Sequence, residues 1–168
     1  MNTVDLLSIT PFDWRSIGTA LICGTIIGLE RQLRGKPVGI RTSALIVLGT
    51  YLFIAGANTV LTPGGDGTRV IGQVITGIGF LGAGVMLAKE GIVVGVTSAA
   101  TIWALASIGV SISLGELLTS IKLSVVVIIV LVGVDVLEDY SQSLTRGVHN
   151  KYRDWRGRNN RPTRTPTE

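Results

Sequence analysis

The densest run of polar chemistry in this sequence is Gly28-Leu29-Glu30-Arg31-Gln32-Leu33-Arg34-Gly35-Lys36-Pro37-Val38-Gly39-Ile40-Arg41-Thr42. Glu30 and Arg34 stand one helical turn apart with the acid first, the order that favours an i,i+4 ion pair. Gly35, Pro37 and Gly39 force a turn, after which Arg41 and Thr42 open an apolar stretch. A loop that needs only positive charge has no use for a Glu at its border or for an Arg followed at once by an apolar helix. Ionisable groups at the edge of a membrane are costly and usually paired. Two readings stay open for Glu30, Arg31, Arg34, Arg41 and Thr42: a structural ion-pair network, or a functional polar cluster. Glu90 and Asp135 complete the candidate set. Asp135 falls near the end of the last apolar stretch, where it either pairs with Arg41 or reaches water as an interfacial acid.

No catalytic constellation accompanies this cluster. The single histidine, His149, lies in a polar tail, no serine has a histidine and an acid near it, and no loop ends in the Gly-Lys-Ser/Thr of a nucleotide site. The chain is expected not to be an enzyme and to need no cofactor. One cysteine, Cys23, excludes both a disulfide framework and a cysteine-based zinc site within one chain. A Mg²⁺ site needs one or two carboxylates plus waters. Glu30 with Asp135, or Asp66 with Glu116, supply such groups, but nothing fixes their separation, so a metal ligand set stays unknown.

The elements that position these groups follow from composition. Of 168 residues, 46% are hydrophobic and 15% charged, against about 25% charged in soluble domains. The charges gather between Glu30 and Arg41 and after Glu138. That distribution excludes a soluble enzyme and points to a bilayer. A membrane-crossing helix needs about 20 largely apolar residues, and five segments approach this: Trp14 to Leu29, continuing through Glu30 and Arg31; Thr42 to Leu61; Val70 to Ala88; Val96 to Leu114; and Leu117 to Leu137. The run Val125 to Val132 is apolar on every face, which a soluble amphipathic helix is not. The expected fold is all-α, a polytopic membrane protein with five transmembrane helices in a Gly/Ala-packed bundle. It divides into an N-terminal extracytoplasmic segment (1–13), a membrane domain (14–140) and a basic cytoplasmic tail (141–168), partly disordered. Asp5 and Asp13 with no basic n-region argue against a cleavable signal peptide.

With five spans, twelve Lys and Arg residues fall on the side of the C-terminus and three, Arg15, Arg69 and Lys122, on the other. The positive-inside rule then puts the N-terminus outside and the C-terminus in the cytoplasm. The net charge of +4 is carried by one loop and the tail, so anionic lipid, not nucleic acid, is the expected partner of the tail.

Membrane helices associate where small residues let backbones approach. Ala20, Gly24 and Gly28 form one stripe on the first span. Gly77, Gly79, Gly82 and Gly84 crowd the third, and Ala100 and Ala104 lie on the fourth. These positions predict a tight interior of the first, third and fourth spans, with the fifth outermost. The glycines of the third span also fit a mobile or broken helix lining a path. A short internal similarity joins Gly39-Ile40-Arg41-Thr42-Ser43-Ala44 and Gly95-Val96-Thr97-Ser98-Ala99, each opening an even-numbered span.

Taken in order, Gly28-Leu29-Glu30-Arg31, Gly39-Ile40-Arg41-Thr42, Gly77 through Gly84, Lys89-Glu90-Gly91 and Thr97 through Trp103 resemble the MgtC/SapB family of bacterial inner-membrane proteins. The resemblance spans about Gly24 to Gly115. It implies a five-span domain with a cytoplasmic C-terminus. It also implies a role in low-magnesium growth or in ion and energy homeostasis, exercised by binding other membrane proteins such as an ATP synthase or P-type ATPase. Longer members carry an ACT-like cytoplasmic domain after the fifth span, and this chain is expected to be a short member lacking it. Ile92, Val93 and Val94 replace the Asn or basic residue that members often carry after the position of Glu90. The leading expectation is a regulator bound to other membrane proteins or to itself as a homo-oligomer. The alternatives are a small oligomeric channel or transporter for Mg²⁺ or another ion, and a structural anchor whose basic tail recruits lipid or protein.

Overall fold

The computed structural model describes residues 8–60, 66–89 and 92–140. Five helices follow in order: α1 (Trp14–Leu33), α2 (Ile40–Ala57), α3 (Gly67–Val85), α4 (Val96–Ser113) and α5 (Leu117–Tyr140). Between α3 and α4 a short hairpin pairs β1 (Leu87–Lys89) with β2 (Ile92–Val94), antiparallel, with Ala88 opposite Val93. The protein is an all-α, multi-pass membrane protein, and this hairpin is the one departure from helix among the described elements. Four helices, α2 to α5, are long and apolar enough to cross a bilayer. At 20 residues α1 is long enough, but Glu30, Arg31 and Gln32 in its last turn dilute its hydropathy.

Local chemistry sets the helix ends. The Asp13 carboxylate caps α1 by accepting from the Ser16 backbone N–H at 3.1 Å, and Asp66 caps α3 by accepting from the Thr68 N–H at 2.9 Å. Gly35 (φ +61) and Gly115 (φ +86) end α1 and α4 in left-handed turns, which glycine adopts without steric cost. Each builds a Schellman motif. Lys36 N–H bonds the Arg31 carbonyl and Gly35 N–H that of Gln32, while Glu116 N–H bonds Ser111 and Gly115 N–H bonds Ile112. The second span stops at Ala57 and not Leu61, and α3 at Val85 and not Ala88. Leu87 and Ala88 extend into the hairpin instead.

The chain forms two compact units, Met1–Ile128 and Ile129–Glu168. The centre of the first unit is α1, α2 and α4, not the first, third and fourth spans. Side chains fully buried there include Ile27, Val47, Ile102, Leu105 and Ile108. Gly24 lies against Ala44 and Gly28 against Ile40, so closely that an added Cβ would meet the backbone at 2.5 and 2.6 Å. Gly109 of α4 is equally tight against α2, where a Cβ would fall 2.6 Å from Thr50 Cβ. The Asp13 N–H donates to the Tyr51 hydroxyl at 3.0 Å, pinning the start of α1 to α2.

By contrast, Gly82 is the one residue of α3 that is buried, and it faces Ala99 of α4, where an added Cβ would fall 3.7 Å from Ala99 Cβ. In the first half of α5, Ser120 and Ser124 are fully buried, and their hydroxyls donate to the carbonyls of Glu116 and Ser120 one turn back. The second unit contributes the remainder of α5 to the described residues, with Ile129, Val130, Val134 and Leu137 exposed. In hydrocarbon such exposure carries no penalty.

Candidate functional site

The last turn of α1 carries Glu30, Arg31 and Arg34. Arg34 Nε lies 2.7 Å from Glu30 Oε1, the i,i+4 pair the spacing predicts. The two side chains differ in exposure, 31% for Arg34 and 9% for Glu30. No aligned N–H reaches either buried Glu30 oxygen among the described residues, so the contact is an ion pair by distance and not a hydrogen bond. Arg31 points the other way. It is 3% exposed, and its Nη2 donates to the Ser98 hydroxyl of α4 at 2.5 Å. Three consecutive helical turns of α1 thus face different neighbours: Gly24 and Gly28 face α2, and Arg31 reaches α4. A cation in the last turn of a helix also meets the negative end of its dipole.

Arg41 and Thr42 sit in the first turn of α2 and are both exposed. Gly39 precedes them as an N-cap without a side chain, and Gln32 Oε1 accepts from the Ile40 N–H at a long 3.4 Å. The connecting turn contains Val38 at φ +68, buried at 8% exposure, with its carbonyl accepting from the Ser43 hydroxyl at 3.1 Å. A β-branched residue in the left-handed region is strained. Among the described residues of the first unit, Arg41 has no hydrogen-bond or ion-pair partner. Asp135 belongs to the second unit, where it is half-buried. Glu90 lies outside the described residues.

The packing positions divide in two. Ala20, Gly24 and Gly28 are buried in the α1 interface, and Gly82 is buried against α4. At Gly77, Gly79 and Gly84 an added Cβ would meet nothing within 4 Å. Ala100 is exposed and Ala104 half-buried. Three participants escape a reading of the sequence: Ser98 as the acceptor for Arg31, Gly109 as the contact with α2, and Val38 as the strained turn residue. A buried guanidinium requires an acceptor, but no local signal in the sequence singles out Ser98 for it.

A groove of about 650 Å³ opens between α2 and α3, walled by Leu45, Gly49, Phe53, Gly77 and Leu81, with Thr42, Thr50 and Gln73 its polar members. A smaller gap of about 160 Å³ separates Ile75 and Ile78 of α3 from Trp103 and Val110 of α4.

Apolar helices packed backbone to backbone, with an arginine buried at one end, define a multi-pass membrane protein whose polar groups are concentrated where α1 turns into α2. The MgtC family profile matches residues 17–140, and the chain belongs to that family. YhiD of Escherichia coli (strain K12), whose name proposes it as a magnesium transporter, is 44% identical over 124 residues, covering 70% of this chain and 57% of its own. Protein MgtC of Salmonella typhimurium (strain LT2) is 38% identical over 109 residues, 65% of this chain and 46% of its own. An uncharacterised Haemophilus influenzae protein is 37% identical over 122 residues, 66% and 50% of the two chains. The chain therefore spans about half the length of these curated relatives. No solved structure matches it.

Proposed function

We propose that this protein is a non-enzymatic regulator in a bacterial inner membrane that serves magnesium or energy homeostasis by binding other membrane proteins. The observation that carries this reading is the closed centre of the first unit. Added Cβ atoms at Gly24, Gly28 and Gly109 would fall 2.5 to 2.6 Å from atoms of α2, a spacing that leaves no lumen between α1, α2 and α4. The surfaces left for function are the outward ones, chiefly α3 with a single buried residue. The magnesium connection rests on the names of relatives that are each about twice as long as the region they share with this chain. In this reading the Glu30–Arg34 end faces the cytoplasm, as the excess of Lys and Arg there requires, and Arg31 and Arg34 hold that end in one shape for a partner.

One observation favours a second reading, ion transport: the Glu30 carboxylate is buried with no hydrogen bond to either oxygen. The two are separated by reconstituting the protein into Mg²⁺-free vesicles and following Mg²⁺ entry. The regulator reading expects entry equal to that of protein-free vesicles, together with a membrane protein captured by crosslinking in intact cells. Entry above that level that is abolished by Glu30→Ala overturns it in favour of transport.

A further inference from the structure

We infer that the groove between α2 and α3 is a binding site for a single anionic phospholipid, with its headgroup at the first turn of α2 and an acyl chain lying between Thr42 and Phe53. Three observations converge on it. The groove is walled almost wholly by aliphatic and aromatic groups. Its α2 wall runs from Thr42 to Phe53, about 17 Å of helix, and begins where a membrane span begins. Its volume of about 650 Å³ lies within the ordinary range for a small flexible ligand.

Charge selects the kind of lipid. Arg41, one residue before the groove's first lining residue, is exposed and has no partner among the described residues of the first unit. It lies in a helix first turn whose N-cap, Gly39, has no capping side chain. The Ile40 N–H is taken by Gln32 Oε1 at 3.4 Å; the remaining first-turn N–H groups and the Arg41 guanidinium together form a phosphate-binding arrangement. Among the described residues, no acidic side chain lines the groove. Thr50, 2% exposed with no hydrogen bond at Oγ1 among the described residues, lines the same space, with Thr42 and Gln73 its other polar members.

The walls themselves supply the test. At Gly49 and at Gly77, on opposite sides of the groove, an added Cβ meets nothing within 4 Å, so Gly49→Leu and Gly77→Leu introduce side chains at the groove walls from positions where the first added carbon has room. The full chain is purified in mild detergent, stripped of lipid and titrated with dioleoyl phosphatidylglycerol or dioleoyl phosphatidylcholine, with bound lipid counted by native mass spectrometry. The wild type is expected to retain one phosphatidylglycerol and to discriminate against phosphatidylcholine. Each leucine variant is expected to lose retention, and Arg41→Gln to lower the preference about tenfold, the value of one charge-assisted hydrogen bond. Inorganic phosphate, lacking the acyl chain, is expected not to compete. Equal binding of both lipids by the wild type overturns the proposal. So does undiminished phosphatidylglycerol on both leucine variants. A change in oligomeric mass on filling the groove, with lipid retention intact, overturns it in favour of a contact between copies.

Discussion

Arg31 is the side chain of the first unit that most needs an explanation, because a guanidinium 3% exposed inside an apolar bundle is stable only when its N–H groups find acceptors. Ser98 supplies one from a helix 67 residues away in sequence. Ser98→Ala is therefore expected to destabilise the protein by about 1.5–3 kcal/mol, the range for a hydrogen bond to a charged group. The check is the midpoint of unfolding in mixed detergent micelles, and a midpoint within error of wild type would remove Arg31–Ser98 as a structural tie. The helix caps titrate elsewhere. The Ser16 backbone N–H holds the Asp13 carboxyl below its ordinary range, and the Thr68 hydroxyl does the same for Asp66. A depressed folded pKa means that the cap's contribution is complete above the unfolded value of about 3.9 and is lost as pH falls through the folded value. Amide protection factors in the first turns of α1 and α3 should stay level from neutral to mildly acidic pH and decline only below about pH 4. Neither cap was read from the sequence, although an N-cap is a local matter of one acid and the next three residues. The Arg31 acceptor was not legible, since nothing local distinguishes Ser98 from the other serines of α4.

Among the elements, the surprise is which helix occupies the centre. Counting glycines favours α3, with Gly72, Gly77, Gly79, Gly82 and Gly84, yet Gly82 is the one of these that is buried. The chain places α2 centrally through Ala44, Val47 and Thr50, which sit opposite Gly24 of α1 and Gly109 of α4. Hydrophobic periodicity reveals a buried face only when the other face meets water. Against lipid both faces are apolar, so helix existence was readable while helix partners were not. The two hairpins do share one device: a glycine of the first helix against an alanine near the start of the second, Gly24 on Ala44 and Gly82 on Ala99. This yields a contrast experiment. Gly24→Ala forces a Cβ to 2.5 Å from the Ala44 backbone and is expected to cost about 1–3 kcal/mol through overpacking. Gly79→Ala meets open space and is expected to be neutral or to stabilise by up to about 1 kcal/mol through helix propensity. Thermal stability in detergent checks both, and equal losses would mean that Gly79 has a partner outside this chain.

For the whole molecule, the distribution of charge predicts an orientation that labelling can read. The native thiol, Cys23, is buried, so in a Cys23→Ser background Lys36→Cys and Asn58→Cys report opposite ends of the first hairpin. A membrane-impermeant maleimide added to intact cells after outer-membrane permeabilisation should modify Asn58→Cys and spare Lys36→Cys, with the reverse in inverted vesicles. The opposite pattern would turn the molecule over and put the Glu30–Arg34 end outside the cell.

The seating of α3 has a mechanical consequence. Its C-terminal end is fixed at two points, Gly82 on Ala99 and the carbonyl of Val85 beneath Gly95, where a Cβ would fall 2.5 Å away. Toward its other end a gap opens around Ile75 and Ile78 on the α4 side, and the larger groove flanks it on the α2 side. That arrangement makes α3 a lever with its fulcrum beside the hairpin: over the 15 residues back to Gly67, each degree of tilt displaces the free end by about 0.4 Å. An occupant of either gap would bear on that arm and not on Arg31 or the glycine contacts of α1 and α2, which lie away from both gaps.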